Sequence, residues 1–184
     1  MRDFLSNRRG SVLLETALAL PVLALVLLCL AEFGEAFTIK RRNAQVASTA
    51  ADLVAQVTCV SASQTGTASS LQDIASIAAT VLKPYSYSAS IAGLSITSVM
   101  QNASNVTIQW SWAAGTLTAG TAGNTFSLPS GLASQGQTVI VAQTSYAFTP
   151  PGGNWPFLNS GVNFTAQAFS KPRTGTSVAL QSSC

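Results

Sequence analysis

The chain has 184 residues, a formal net charge of +3, and 8% charged against 47% hydrophobic residues, where a soluble domain carries about 25% charged residues. It contains no His, which removes Ser-His-Asp and Cys-His catalysis and the usual zinc ligand sets. No acid follows Asp73, so paired carboxylates for hydrolytic or metal-assisted chemistry have almost nowhere to sit; the expectation is a non-enzyme without metal or cofactor.

The basic residues fall into groups. Arg2, Arg8 and Arg9 precede a long apolar run, Lys40, Arg41 and Arg42 follow it, and Lys83, Lys171 and Arg173 are scattered. Nucleic acid requires a contiguous basic face to displace counterions along the phosphates. The scattered cations supply none, so no nucleic-acid partner is expected.

Ser11 to Ala31 reads SVLLETALALPVLALVLLCLA, with Glu15 its one charge. As a helix this run spans about 31 Å, close to the ~30 Å hydrocarbon core of a bilayer. A secretory signal peptide has a shorter apolar core of about 7–15 residues and a small-residue cleavage site after it. The length, the internal acid and the Leu30-Ala31-Glu32-Phe33 exit favour a retained transmembrane helix over 11–31. Cations on both flanks nearly balance the positive-inside count. The short leader and the polar, Cys-bearing remainder favour a cytoplasmic N-terminus and an exported C-terminal part.

Glu15 is costly in a membrane helix and needs hydration or a partner. Either it lies near the headgroups, or it answers to what precedes it, Arg8-Arg9-Gly10-Ser11-Val12-Leu13-Leu14-Glu15. A basic leader, a Gly, and a Glu five residues on, inside an apolar start, form the prepilin cleavage pattern. Cleavage after Gly10 exposes an α-amine on Ser11, which Glu15 can neutralise on its own chain or on a neighbour; a buried pair is tolerable where either charge alone is not.

The helix is predicted to continue to about Val57, roughly 70 Å in all, with Ala36, Ile39, Ala47, Ala50, Ala51, Val54 and Val57 forming a small-residue stripe and Pro21 loosening its membrane half. Residues 58–70, including SASQTGTASS, read as a flexible linker. A helix follows over Leu71–Leu82, ended by Pro84. The period then changes to two: strands are predicted around Leu94–Thr97, Val106–Trp112, Thr138–Phe148 and Val162–Ser170, with a long Gly- and Thr-rich loop or weak hairpin over Gly115–Gly136. Helices followed by antiparallel strands give an α+β domain over 71–184 with about four strands.

Trp110, Trp112, Tyr146, Phe148, Trp155 and Phe164 could form a stacking surface; the reading preferred here places the strand aromatics in the core, with Trp155 covering it. Cys29 lies in the apolar run. Cys59 and Cys184 would both be exported, where disulfides persist; they form a disulfide, remain free thiols, or pair with another chain. Asp52 and Asp73 read as solvated or capping acids.

The sequence resembles the TadE-like (TadE/TadG) family of pilus assembly proteins of the tight-adherence, or Tad/Flp, system. Three stretches carry the resemblance: RRGSVLLETALALPVLALVLLCLAEFGEAF, Arg41-Arg42-Asn43-Ala44 running into a helix that ends DLVAQ, and the tail TSYAFTPPGGNWPFLNSGVNFTAQAFSKPRTGTSVALQSSC with its Pro172-Arg173. The resemblance implies a pilin-like fold and a minor pilin or pseudopilin of the bacterial inner membrane. Its leader, residues 1–10 with Arg8 and Arg9, would be removed by a prepilin peptidase between Gly10 and Ser11. Its partners would be that peptidase, the membrane, and other Tad pilins and assembly proteins. The alternative from another class is an unprocessed single-pass module that binds or adheres through its C-terminal domain, which needs neither Gly10 nor Glu15.

Overall fold

The computed structural model describes residues 8–150 and 161–184, with side chains from Val12 onward. The chain divides into two compact units, Met1–Thr38 and Ile39–Cys184. The boundary falls inside the first helix.

Helix α1 spans Arg8–Gln56, beginning inside the segment expected as leader. Ala and Leu dominate it, both strong helix formers. Pro21 lies within it. In the first unit its apolar side chains face outward: Leu13, Leu14 and Leu18 are more than 70% exposed, as are Phe33 and Phe37. A helix this apolar and this long can cross a membrane. In the second unit the same helix buries Ile39, Val46, Ala47, Ala50, Ala51, Val54 and Ala55. The small side chains let other backbone approach the helix closely.

Residues 58–70 are not the flexible linker expected from composition. Strand β1, Cys59–Ser61, pairs in parallel with β6, Ala179–Gln181. Ser61 and Ser70 are fully buried. The Ser61 and Ser63 hydroxyls both donate to the Ser182 carbonyl at 2.9 Å, and the Ser70 hydroxyl donates to the Gln64 carbonyl at 2.6 Å. A Ser/Thr-rich stretch lacks apolar periodicity, yet its hydroxyls can fold it by bonding neighbouring backbone.

Helix α2, Leu71–Val81, starts where the Ser70 hydroxyl accepts from the Asp73 backbone N–H at 3.1 Å, a standard N-cap. It buries Leu71, Ile74, Ala75 and Ala78. Its last carbonyls meet Arg42 of α1, whose guanidinium donates to Val81 O at 3.3 Å and to Lys83 O. A cation suits this negative end of the helix dipole.

Strands β2 (Ala92–Gln101), β3 (Val106–Gly115), β4 (Thr138–Phe148) and β5 (Val162–Ser170) form one antiparallel sheet in the order β3-β2-β4-β5. The second unit is therefore α+β. Partner residues share a face, so Leu94, Ile96, Ser98, Ile140, Ala142 and Thr144 form one side. The Thr144 hydroxyl reaches the Asn43 carbonyl of α1, which identifies this as the helix side.

The alternation of β3 through Val106, Ile108, Trp110 and Trp112 describes one apolar face for an isolated strand. The register instead shifts between Ser98 and Val99: Ser98 pairs with Trp110 and Val99 with Ile108. This bulge inserts Gln109 as an extra residue and reverses the facing of what precedes it. Val106 and Ile108 join Val99, Val139 and Val141 in a separate cluster on the other face, covered by Phe126, Leu128, Leu132 and Phe169. The 115–136 stretch thus lies against the sheet. It also hydrogen-bonds β3, Ile108 N–H donating to Asn124 O and Phe126 N–H to Val106 O, both at 2.9 Å.

Candidate functional site

The residues singled out for processing lie at the start of α1. Arg8, Arg9 and Gly10 are helical in backbone, and residues 1–7 lie outside the described part. Glu15 is exposed among exposed Val12, Leu13, Leu14 and Leu18. Thr16, beside it, satisfies its hydroxyl internally by donating to the Val12 and Leu13 carbonyls at 2.9 and 3.0 Å. No hydrogen bond or ion pair reaches the Glu15 carboxylate among the described residues. The helix spacing sets what this carboxylate can do: residues four apart stand on one face about a turn apart, so Ser11 and Glu15 are helical neighbours.

The second constellation ties the C-terminus to the end of α1. Cys59 and Cys184 are joined as a disulfide with Cα atoms 6.1 Å apart, inside the range such bonds occupy. The Cys184 N–H donates to Gln64 Oε1 at 2.9 Å. Pro172-Arg173 belongs to the same clasp: Arg173 N–H donates to Ala55 O at 2.7 Å, and its guanidinium lies 3.5 Å from Asp52. Ser170 also donates to Asp52, at 3.0 Å. Both members of the ion pair are more than half exposed, so it steers the chain more than it stabilises it. Asp73 caps, accepting from the Gly66 and Thr67 N–H groups.

Of the aromatic residues, Trp110, Tyr146 and Phe148 are buried, and Trp112 and Phe164 half-buried. Trp110 donates its indole N–H to the Val178 carbonyl at 2.7 Å. Tyr146 donates to Ser86 O at 3.4 Å. The Phe148 and Phe164 rings lie 6.1 Å apart. These contacts make the strand aromatics core rather than a stacking surface; Trp155 falls outside the described residues. Burial pushes the phenols of Tyr87 and Tyr146 up from their ordinary value, with Tyr85 adding to the effect on Tyr146. Cys29 is a half-buried free thiol on α1. Among the described residues no cluster of three or more Cys, Asp and Glu side chains converges to hold a metal.

Sequence reasoning missed Asn43. It is 1% exposed, donates its amide to Phe164 O at 2.9 Å, and accepts from Thr144 on its backbone carbonyl at 3.2 Å. A polar residue in line with Ile39, Val46 and Ala47 on the buried stripe was the available signal. No family model matches the chain, and no curated protein and no solved structure matches it either.

Proposed function

We propose that the chain is a membrane-anchored minor pilin or pseudopilin that acts in assembly of a tight-adherence type IV pilus and is processed after Gly10. One observation carries the reading: a single helix, Arg8–Gln56, apolar and outward-facing over its first half, enters an α+β unit with its second half. A plain anchor needs only the apolar part; a subunit that packs helix against helix in a filament uses both.

Hydrolysis of the Gly10–Ser11 bond by a prepilin peptidase releases a leader holding Arg8 and Arg9 and leaves an ammonium on Ser11. Glu15, one turn on, neutralises it on its own chain or on a neighbour, which makes the helix start tolerable in an apolar bundle. Gly10 suits the cut twice over. It has no side chain to obstruct a peptidase, and it weakens the first turn by about 1 kcal/mol relative to Ala, easing the unwinding that cleavage needs. Before assembly the exposed leucines lie in lipid; afterwards other Tad pilins cover them. The helix sits in the bacterial inner membrane with its N-terminus cytoplasmic and the α+β unit outside, where a disulfide persists.

N-terminal mass spectrometry of the membrane-extracted protein tests this, with a Ser11 start expected. An intact Met1 start in cells with an active prepilin peptidase overturns it and leaves the unprocessed, anchored binding module in its place.

A further inference from the structure

The basic residues after the apolar run have no role in the pilin reading, and by the positive-inside rule they stand on the wrong side for an exported domain. Their placement is specific. Lys40 and Arg41 are exposed on α1, and Arg42 is half-buried beside them. Arg42 donates to the carbonyls of Val81 and Lys83 and lies 5.9 Å from the centre of the Tyr85 ring. That contact brings the exposed Lys83 to the same level of the second unit. Consecutive helix residues are about 100° apart and rise only ~1.5 Å each. Lys40, Arg41 and Arg42 therefore fan over about 200° of α1 within ~3 Å of rise, with Lys83 beside Arg42 and the buried Ile39 and Asn43 on the remaining side. Helical side chains lean toward the N-terminus, here the direction of the apolar run.

Nor are these charges neutralised internally. Among the described residues the one ion pair is Arg173–Asp52, elsewhere in the unit. Glu32 and Glu35, about one and a half to three turns earlier on the helix, leave the region with an excess of positive charge. Cations spread over a broad arc of a helix at one level fit a plane crossed by that helix. They do not fit the groove of a nucleic acid or an extended acidic peptide, which call for a stripe.

We infer that Lys40, Arg41, Arg42 and Lys83 form a cationic collar that docks the second unit on anionic phospholipid headgroups of the leaflet from which α1 emerges. The inference rests on α1 spanning the membrane, and the collar continues that interface. Each Lys or Arg near an anionic surface contributes a factor of about five to the docked population, and the attraction fades over a Debye length of about 8–10 Å. Arg42 has a second role in holding the end of α2, so Lys40, Arg41 and Lys83 are the separable members.

The test uses the full chain in nanodiscs of phosphatidylcholine alone or with about a third phosphatidylglycerol, read by hydrogen exchange of peptides covering residues 80–87. Exchange there is expected to slow several-fold in anionic discs. High salt should abolish the difference, as should the triple variant Lys40→Gln, Arg41→Gln, Lys83→Gln, with Arg41→Gln alone giving a partial loss. Equal exchange in the two lipids, or an anionic effect that the triple variant retains, overturns the collar. Flotation with neutral vesicles separates the two readings: chain and triple variant are both expected to float. A chain that does not float overturns the membrane anchor and the collar together, whereas a floating chain with lipid-independent exchange overturns the collar alone.

Discussion

Thr144 of β4 donates its hydroxyl to the backbone carbonyl of Asn43 on α1, 3.2 Å away, and both residues are at most 2% exposed. The Asn43 amide then reaches the Phe164 carbonyl on β5 at 2.9 Å. One polar residue thus joins the helix to two adjacent strands inside an apolar layer. Apolar packing is indifferent to small slides of a helix over a sheet, whereas a buried hydrogen bond is lost within a fraction of an ångström.

Asn43→Leu should therefore destabilise the folded unit by about 1–3 kcal/mol, the cost of leaving buried polar groups unpaired. Thr144→Val should cost about 1 kcal/mol. Denaturant unfolding of the detergent-solubilised chain, followed by Trp fluorescence, reads both. The double variant should cost less than the sum, because the two act on one helix–sheet contact; strict additivity would contradict the shared role.

The disulfide predicts a thiol pattern. Cys184 should resist alkylation in untreated protein and react once reductant is added, and Cys59→Ser should free it without reductant. Loss of the bond, which bridges a sequence separation of 125 residues, should cost about 2–5 kcal/mol. Trp110 should report the change, since it donates to Val178, a residue of the C-terminal segment that the bond retains.

Gly10 and Glu15 should fail differently. Gly10→Val places a branched side chain at the cut and should block processing, while membrane insertion proceeds because the apolar run is unchanged. Glu15→Gln should leave processing intact and abolish assembly, because the Ser11 amine loses its counter-charge. Mass spectrometry of the N-terminus and recovery of sheared pili give the two readouts. An assembling Glu15→Gln chain would contradict the charge-pairing role.

Alkaline pH should destabilise the second unit. Burial holds the Tyr87 and Tyr146 phenols above the ordinary value of 10.0, so the folded state keeps their protons more tightly than the unfolded chain. Their contribution is complete below about pH 10 and is lost as the pH rises through the folded values. Tyrosinate absorbance should show two phenols ionising late, one of them absent in Tyr146→Phe. Unfolding at a fixed denaturant concentration should become easier above pH 10.

Much of this architecture is legible in the residues. The run from Ser11 to Ala31 reads as a membrane-length helix, Leu71–Leu82 as an amphipathic one, and Thr138–Phe148 and Val162–Ser170 as strands, because helix and strand periods arise from contacts between residues two to four apart. The Ser11–Glu15 spacing is legible for the same reason. Residues 58–70 read as a linker because Ser61 and Ser70 carry no apolar signal; they are ordered by partners far along the chain, as when Ser182 accepts from Ser61.

Local order along the chain thus determined where the two helices and the four strands of the larger sheet lie and which residues stand at the head of α1. Tertiary structure alone decided that β1 finds β6, that Arg42 closes α2, and that Asn43 faces Thr144. It also decided the faces of β3. Alternation through Val106, Ile108, Trp110 and Trp112 describes a single face for an isolated strand, but pairing with β2 inserts Gln109 as a bulge and sends the first two residues to the opposite core. A side chain's facing depends on the register with the next strand, and register is chosen by the packing of both sheet faces at once.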